Sequence, residues 1–254
     1  MLGIAAYSCR EIEDASERFN TRIATIVMKP MEAFTVNDDP TFIPALGRSG
    51  FTGGYDRVIA VMTRERRWRS ALLELIAPEA GDVIVDVGAG TGSQLIAIKQ
   101  SVPTARVIGV DPDPAALALA RQKAQAAGVE IEWTQGFGDQ VDALVGTTAN
   151  KIMSSLVLHQ CDLPVKSAIL RAMARTLCPG GMLAIADYGL QRTLLMRTLF
   201  RQVQALDGWE RTGLNAKGIL PQLIADAGFE NVDEVRVVQT PTGSISLYSG
   251  RKSA

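Results

Sequence analysis

The run Val83-Ile84-Val85-Asp86-Val87 passes directly into Gly88-Ala89-Gly90-Thr91-Gly92 and then into a helical pattern from Ser93. A β-branched strand, a turn with three glycines and a helix start, in that order, restrict the chain to an α/β layer structure. A second β-branched run, Arg106–Val110, follows within one helix length. Neither run alternates in polarity, so both are read as strands buried on both faces of a parallel sheet. The intervening helix spans roughly 93–100, and a second, alanine-rich helix is expected from Asp113 to Ala127, ending at Gly128. Strands at 130–134, 151–157 and 181–186, with a helix at 165–177, continue the alternation. The tail reads as helix 220–227, then strands 232–238 and 244–250 joined at Pro241-Thr242-Gly243. The expected fold is a Rossmann-like, doubly wound α/β sheet, mostly parallel, finished by a C-terminal antiparallel hairpin.

Before this region the pattern is different. A mixed helix at 11–28 stops at Lys29-Pro30, and 37–54 is dense in Pro, Gly, Asn and Asp. Residues 1–54 are therefore expected to be an N-terminal helix and a flexible entry or lid segment. A helix is expected from Tyr55 to Ile76, interrupted by the polar stretch 63–67. The main domain is taken as 55–254, with a ligand-binding half at 81–190 and an apolar insertion at 191–218. The stripe of Leu and Met residues in that insertion reads either as core or as the wall of an apolar pocket.

Composition narrows the classes. The 254 residues are 47% hydrophobic, enough to bury a core without disulfides. Lys and Arg number 26 against 27 Asp and Glu, a balance without the basic surplus of a nucleic-acid binder. Cys9, Cys161 and Cys178 show no metal-ligand spacing, so neither a metal site nor a disulfide framework is expected. The first residues lack a basic region before an apolar stretch, and no segment approaches the ~20 apolar residues of a membrane span. The expected setting is cytoplasmic, without stable membrane insertion, as a monomer or homodimer.

In an open parallel sheet, ligands bind beyond the carboxyl ends of the strands. Glycines there let backbone approach a ligand closely, and the following helix start offers free N–H groups to an anion. Asp111 ends the second strand, where an acid can accept both hydroxyls of a ribose. Together these features indicate an adenosine-containing ligand. Ser93 stands where a dinucleotide fingerprint wants its third glycine, which disfavours nicotinamide and flavin cofactors.

These residues resemble a known family. Val83–Gly92 and Val110-Asp111-Pro112-Asp113-Pro114 are similar to the first two motifs of class I S-adenosylmethionine-dependent methyltransferases. Ile152–His159 and Arg175-Thr176-Leu177-Cys178-Pro179-Gly180-Gly181 resemble the ubiquinone/menaquinone-biosynthesis branch. The resemblance covers roughly residues 81–190 and implies S-adenosylmethionine as cofactor and S-adenosylhomocysteine as product. It implies that Gly88, Gly90 and Gly92 line the methionine portion, that Asp86 reaches its amino group and that Asp111 holds the ribose. Pro112, Gly136, Phe137, Asp139, Ser154 and Leu156 complete the implied cofactor site, with Phe137 and Asp139 on the adenine. Tyr55 resembles a lid tyrosine laid over the cofactor; core packing is the competing reading. Asn150 stands where the family often has Asp, a departure expected to alter local hydrogen bonding and not the cofactor.

The implied reaction is transfer of a methyl group to a small, partly apolar acceptor by in-line displacement. His159, the single histidine, is the catalytic candidate, expected at the pocket rim as a base or a positioning residue. The alternative from another class is a non-catalytic S-adenosylmethionine-binding regulator or partner protein.

Overall fold

The computed structural model describes residues 63–253. Among them the elements run α1 (Glu65–Ile76), β1 (Val83–Val87), α2 (Ser93–Ser101), β2 (Arg106–Asp111), α3 (Pro114–Ala126), β3 (Glu132–Gln135), α4 (Val141–Val145) and β4 (Ala149–Ser155). Then follow α5 (Leu163–Thr176), β5 (Leu177–Tyr188), α6 (Leu194–Asp207), α7 (Trp209–Ala216), α8 (Leu220–Asp226), β6 (Phe229–Thr240) and β7 (Gly243–Lys252). Short 3-10 turns lie at Gly138–Gln140 and Leu158–Gln160. The expected segments at 1–54, the start of the helix at Tyr55, and Tyr55 itself lie outside the described residues.

The seven strands form one sheet in the order β3-β2-β1-β4-β5-β7-β6. The first five are parallel, and β7 pairs antiparallel with both β5 and β6. The doubly wound sheet and its terminal hairpin are as the sequence predicts. Strand polarity explains the two-sided burial: Val85 and Val87 face a layer with Ile169, Leu170 and Met173 of α5, while Ile84 faces Trp68 and Leu72 of α1 and Leu95 of α2. Burying a side chain such as Ile84 contributes roughly 1.5–3 kcal/mol. The chain winds outward from β1 to β3, then returns to β4 on the other side of β1. That reversal opens a crevice between the carboxyl ends of β1 and β4.

Local chemistry sets several boundaries. Asp113 caps α3, its Oδ1 accepting from the N–H groups of Ala115 at 2.8 Å and Ala116 at 3.3 Å, and Pro114 follows at the first helical position. Thr193 caps α6 through the Met196 N–H. Strand β5 begins at Leu177, before the predicted Gly181. Pro179-Gly180 signals a turn by composition, yet Leu177 pairs with Ala149 and Met182 with Lys151, so the extra residues between them bulge out of β5. Asn150 works locally, as expected: its Oδ1 accepts from the Val83 N–H at 2.7 Å and its amide donates to Asp82, at the amino end of β1.

Candidate functional site

The glycine turn is fastened to the ends of two strands. Gly88 and Ala89 donate to the Val110 carbonyl at 2.8 and 3.1 Å, and Gly90 donates to Asp111 Oδ2 at 2.7 Å. Lys123 of α3 donates to the hydroxyls of Thr91 and Ser93. Gly88, Gly90 and Gly92 have φ of 77°, 54° and 75°, a region that costs other L-residues roughly 1–2 kcal/mol. Their surroundings differ. A Cβ on Gly88 would meet Val157 and one on Gly92 would meet Trp133, whereas a Cβ on Gly90 would meet nothing within 4 Å. Gly88 and Gly92 thus serve packing, and Gly90 faces open space.

Two carboxylates flank the turn. Asp111 uses Oδ1 to accept from the Asp113 N–H at 2.9 Å and Oδ2 to accept from Gly90, so it braces the loop with one lone pair per oxygen to spare. Desolvation raises its pKa. Asp86 is fully buried and its Oδ1 has no hydrogen-bond partner. Burial lifts its pKa to about 7, against a lowering influence from the Arg69 charge. The first turn of α2, which starts beside it, has no side-chain cap. A buried acid with one oxygen left without a hydrogen-bond partner, next to a helix start without a side-chain cap, fits a zwitterionic amino acid. The donor set therefore suits the methionine end of S-adenosylmethionine.

The remaining predicted residues surround the same crevice. Gly136 donates to the Asp111 carbonyl at 3.1 Å, which sets the segment after β3 beside β2. Phe137 is 44% exposed, a large apolar ring presented at the carboxyl edge. Asp139 is exposed in the adjoining 3-10 turn, and Pro112 is half-buried with its carbonyl accepting from Gln135. Ser154 is buried, its hydroxyl donating to the Val87 carbonyl at 2.7 Å, so it joins β4 to the end of β1. Leu156 has φ 55° while its N–H donates to the Ala186 carbonyl at 2.9 Å. Such strain in a residue with a side chain clusters at functional crevices.

His159 departs from its expected setting. The sequence predicts a rim residue with an ordinary pKa; the ring is only 3% exposed and lies between two carboxylates. Nδ1 is 2.7 Å from Asp187 Oδ1, and Nε2 is 3.4 Å from Asp207 Oδ2. Desolvation lowers its pKa, but Asp187 and Asp207 outweigh it and hold the ring up at about 9. A pKa held there favours the protonated imidazole at neutral pH. Burial pushes the neighbouring Cys161 thiol up to about 11, consistent with an inert side chain.

Sequence reasoning passed over Asp187, Asp207 and Lys166. Asp187 had a usable signal, an acid at the carboxyl end of a buried strand, the same signal that marks Asp86 and Asp111. The other two sit on helices, where nothing in their neighbours sets them apart. A shallow groove of about 370 Å³, lined by Arg171, Arg175, Gly228 and Lys252 among others, lies at the opposite, amino-terminal end of the parallel strands and holds none of these residues. No metal-holding cluster occurs among the described residues, and no helix there is long and apolar enough to cross a membrane.

Comparison with known proteins agrees with this geometry. Residues 84–181 match the family model described as "Methyltransferase domain". Demethylmenaquinone methyltransferase of Thermus thermophilus is 29% identical over 124 residues, covering 48% of this chain and 54% of that protein. The chain thus spans about half the length of the curated relatives it matches. Magnesium protoporphyrin IX methyltransferase from Synechocystis, solved with S-adenosylhomocysteine, shares the fold at a TM-score of 0.61, with 18% identity over 81% of this chain and 90% of the other. A [4+2]-cyclase, SpnF, also shares it, with a TM-score of 0.57 and 15% identity, covering 74% of this chain and 80% of the other. Residues 84–181 thus match a methyltransferase domain, and the curated relatives similar to this region include demethylmenaquinone and ubiquinone/menaquinone-biosynthesis methyltransferases.

Proposed function

We propose that the crevice at the carboxyl ends of β1, β2 and β4 binds S-adenosylmethionine and that the protein methylates a small, partly apolar acceptor by in-line displacement. The observation that carries this reading is the buried Asp86, whose Oδ1 has no hydrogen-bond partner, beside the start of α2, which has no side-chain cap. Gly90 lets the backbone approach the methionine portion between Gly88 and Gly92, Asp86 meets the amino group, and Asp111 offers its spare lone pairs to the ribose. Phe137 stacks on the adenine, Asp139 accepts its exocyclic amine, and Gly136, Pro112, Ser154 and Leu156 shape the remaining wall. His159 and the insertion at 191–218 stand on the acceptor side. The sulfonium supplies an already activated methyl group, so the protein's task is to align the acceptor and exclude water.

Calorimetric titration with S-adenosylmethionine, S-adenosylhomocysteine and NADH tests the site. Binding of the first two alone supports it; binding of NADH alone, or of none, overturns it. Because a shared fold does not fix the reaction, turnover needs its own assay with phenols, amines and quinones. Binding without turnover of any acceptor counts against the enzyme and favours a regulatory binder.

Asp86 gives the binding a pH signature. A carboxyl raised to about 7 in the folded state has already lost its charge below that pH, while the unfolded group ionises near 3.8. The fold therefore loses stability as pH rises from about 4 to 7, by roughly 4 kcal/mol for a shift of this size. An ammonium group beside Asp86 favours the charged form. Affinity for S-adenosylmethionine is expected to rise about tenfold per pH unit up to about pH 7 and then level off. Asp86→Asn should flatten that rise; an unchanged slope in the variant would refute the assignment.

A further inference from the structure

The ends of β4 and β5 meet the insertion through a buried set of charges. Asp187, 1% exposed, accepts from the His159 ring at Nδ1 and from the backbone N–H groups of Leu158 and Tyr188, each at 2.7 Å. The other edge of the ring faces Asp207, the last residue of α6, at 3.4 Å. Tyr188 packs edge-on against His159, with ring centroids 4.9 Å apart, and Phe200 of α6 packs on Tyr188 at 5.0 Å. One imidazole thus links a strand of the sheet to a helix of the insertion.

A second anchor lies alongside. Lys166 of α5 is fully buried, and its ammonium donates to the Leu158 carbonyl at 2.6 Å, the Arg211 carbonyl at 2.8 Å and Asn215 Oδ1 at 2.8 Å. Asn215 in turn donates to the Tyr188 carbonyl at 3.0 Å. Arg211 and Asn215 belong to α7, so both helices of the insertion are held by buried charge-assisted bonds and by the aromatic pair. Burying this many charged groups is costly unless each is paired. Apolar packing alone would dock the helices with less penalty, whereas these bonds allow only one placement.

We propose that Asp187 and Asp207 clamp the His159 ring and, with Lys166 and Asn215, dock residues 194–216 in a single position over the carboxyl end of the sheet, making Asp187 and Asp207 positioning residues for the acceptor wall. This rests on the reading of 191–218 as the acceptor side. The groups facing the ring are Asp187 and Tyr188 from β5 and Asp207 from α6. Lys166 from α5 faces Asp187, and Cys161, Asp162 and Arg211 lie around Lys166. The clamp requires an imidazolium, since only then do both ring nitrogens donate. It is complete at neutral pH and opens as pH rises through about 9.

Having one histidine makes the test direct, because every imidazole signal in a nuclear magnetic resonance spectrum of the full chain is His159. The ring of the unaltered protein is expected to stay doubly protonated from pH 6 to 8. Asp207→Asn should lower its titration midpoint by about one pH unit, and Asp207→Glu should restore it. Amide exchange across 194–216 should quicken at least tenfold in Asp207→Asn, with S-adenosylmethionine affinity unchanged within twofold. A midpoint near 6.5 in the unaltered protein, or unchanged exchange in the variant, overturns the clamp, and the first result needs no variant to fold. The two readings fail separately. An intact clamp with no turnover of any phenol, amine or quinone removes the methyl-transfer reading alone. Loss of the clamp with an unaltered acceptor KM removes the positioning role alone.

Discussion

Gly90→Val is expected to lower affinity for S-adenosylmethionine at least 100-fold while leaving a folded protein. The backbone at φ 54° imposes a strain of roughly 1–2 kcal/mol on a residue with a side chain. No protein atom lies within 4 Å of the added Cβ, so collision within the protein adds little to that. The new methyl groups instead occupy the space through which the turn meets its ligand. The same change at Gly92 would drive a Cβ into Trp133, and at Gly88 into Val157, so those variants would lose stability together with affinity. Comparing thermal melts with calorimetric affinities for the three variants checks the distinction. If Gly90→Val binds as the parent does, the crevice is not the cofactor site.

Lys166→Met is expected to produce the largest loss of stability among single changes around the 191–218 insertion. Methionine retains the length of the stem but removes the ammonium, leaving the Leu158 and Arg211 carbonyls and Asn215 Oδ1 without their shared donor. Orphaning buried acceptors of a charged donor costs about 3–5 kcal/mol. For a domain of this size that corresponds to a fall of roughly 10 °C in Tm. Calorimetric melting of the variant measures it. A fall of only a degree or two would mean that water replaces the ammonium and that α7 is not held by it. Cofactor affinity should change far less, because Asp86, Gly90 and Asp111 lie on β1, in the turn after it and on β2, whereas Lys166 is on α5.

The cofactor half was legible because its signals are local. A β-branched strand, three glycines and a helix start occupy consecutive positions, and each states its own backbone requirement. Asp86 and Asp111 could be placed at the crevice because strand ends are readable and an acid there stands out against apolar neighbours. The helix at the insertion was likewise legible, since Met196, Phe200 and Val203 repeat at helical spacing and are buried in the structure. What failed was the environment of His159. Its neighbours in sequence give an ordinary histidine near a pocket, whereas its partners Asp187 and Asp207 lie 28 and 48 positions away.

The order of elements, the parallel sheet, the glycine turn and the two strand-end acids are determined by the sequence alone, because periodicity and backbone conformation act over a few residues. Only the tertiary structure decided which glycine faces open space, which carboxylate oxygen is left without a partner, and that the single imidazole lies between two carboxylates. Those properties depend on distance and burial between segments far apart in the chain, and desolvation and Coulomb attraction act through space.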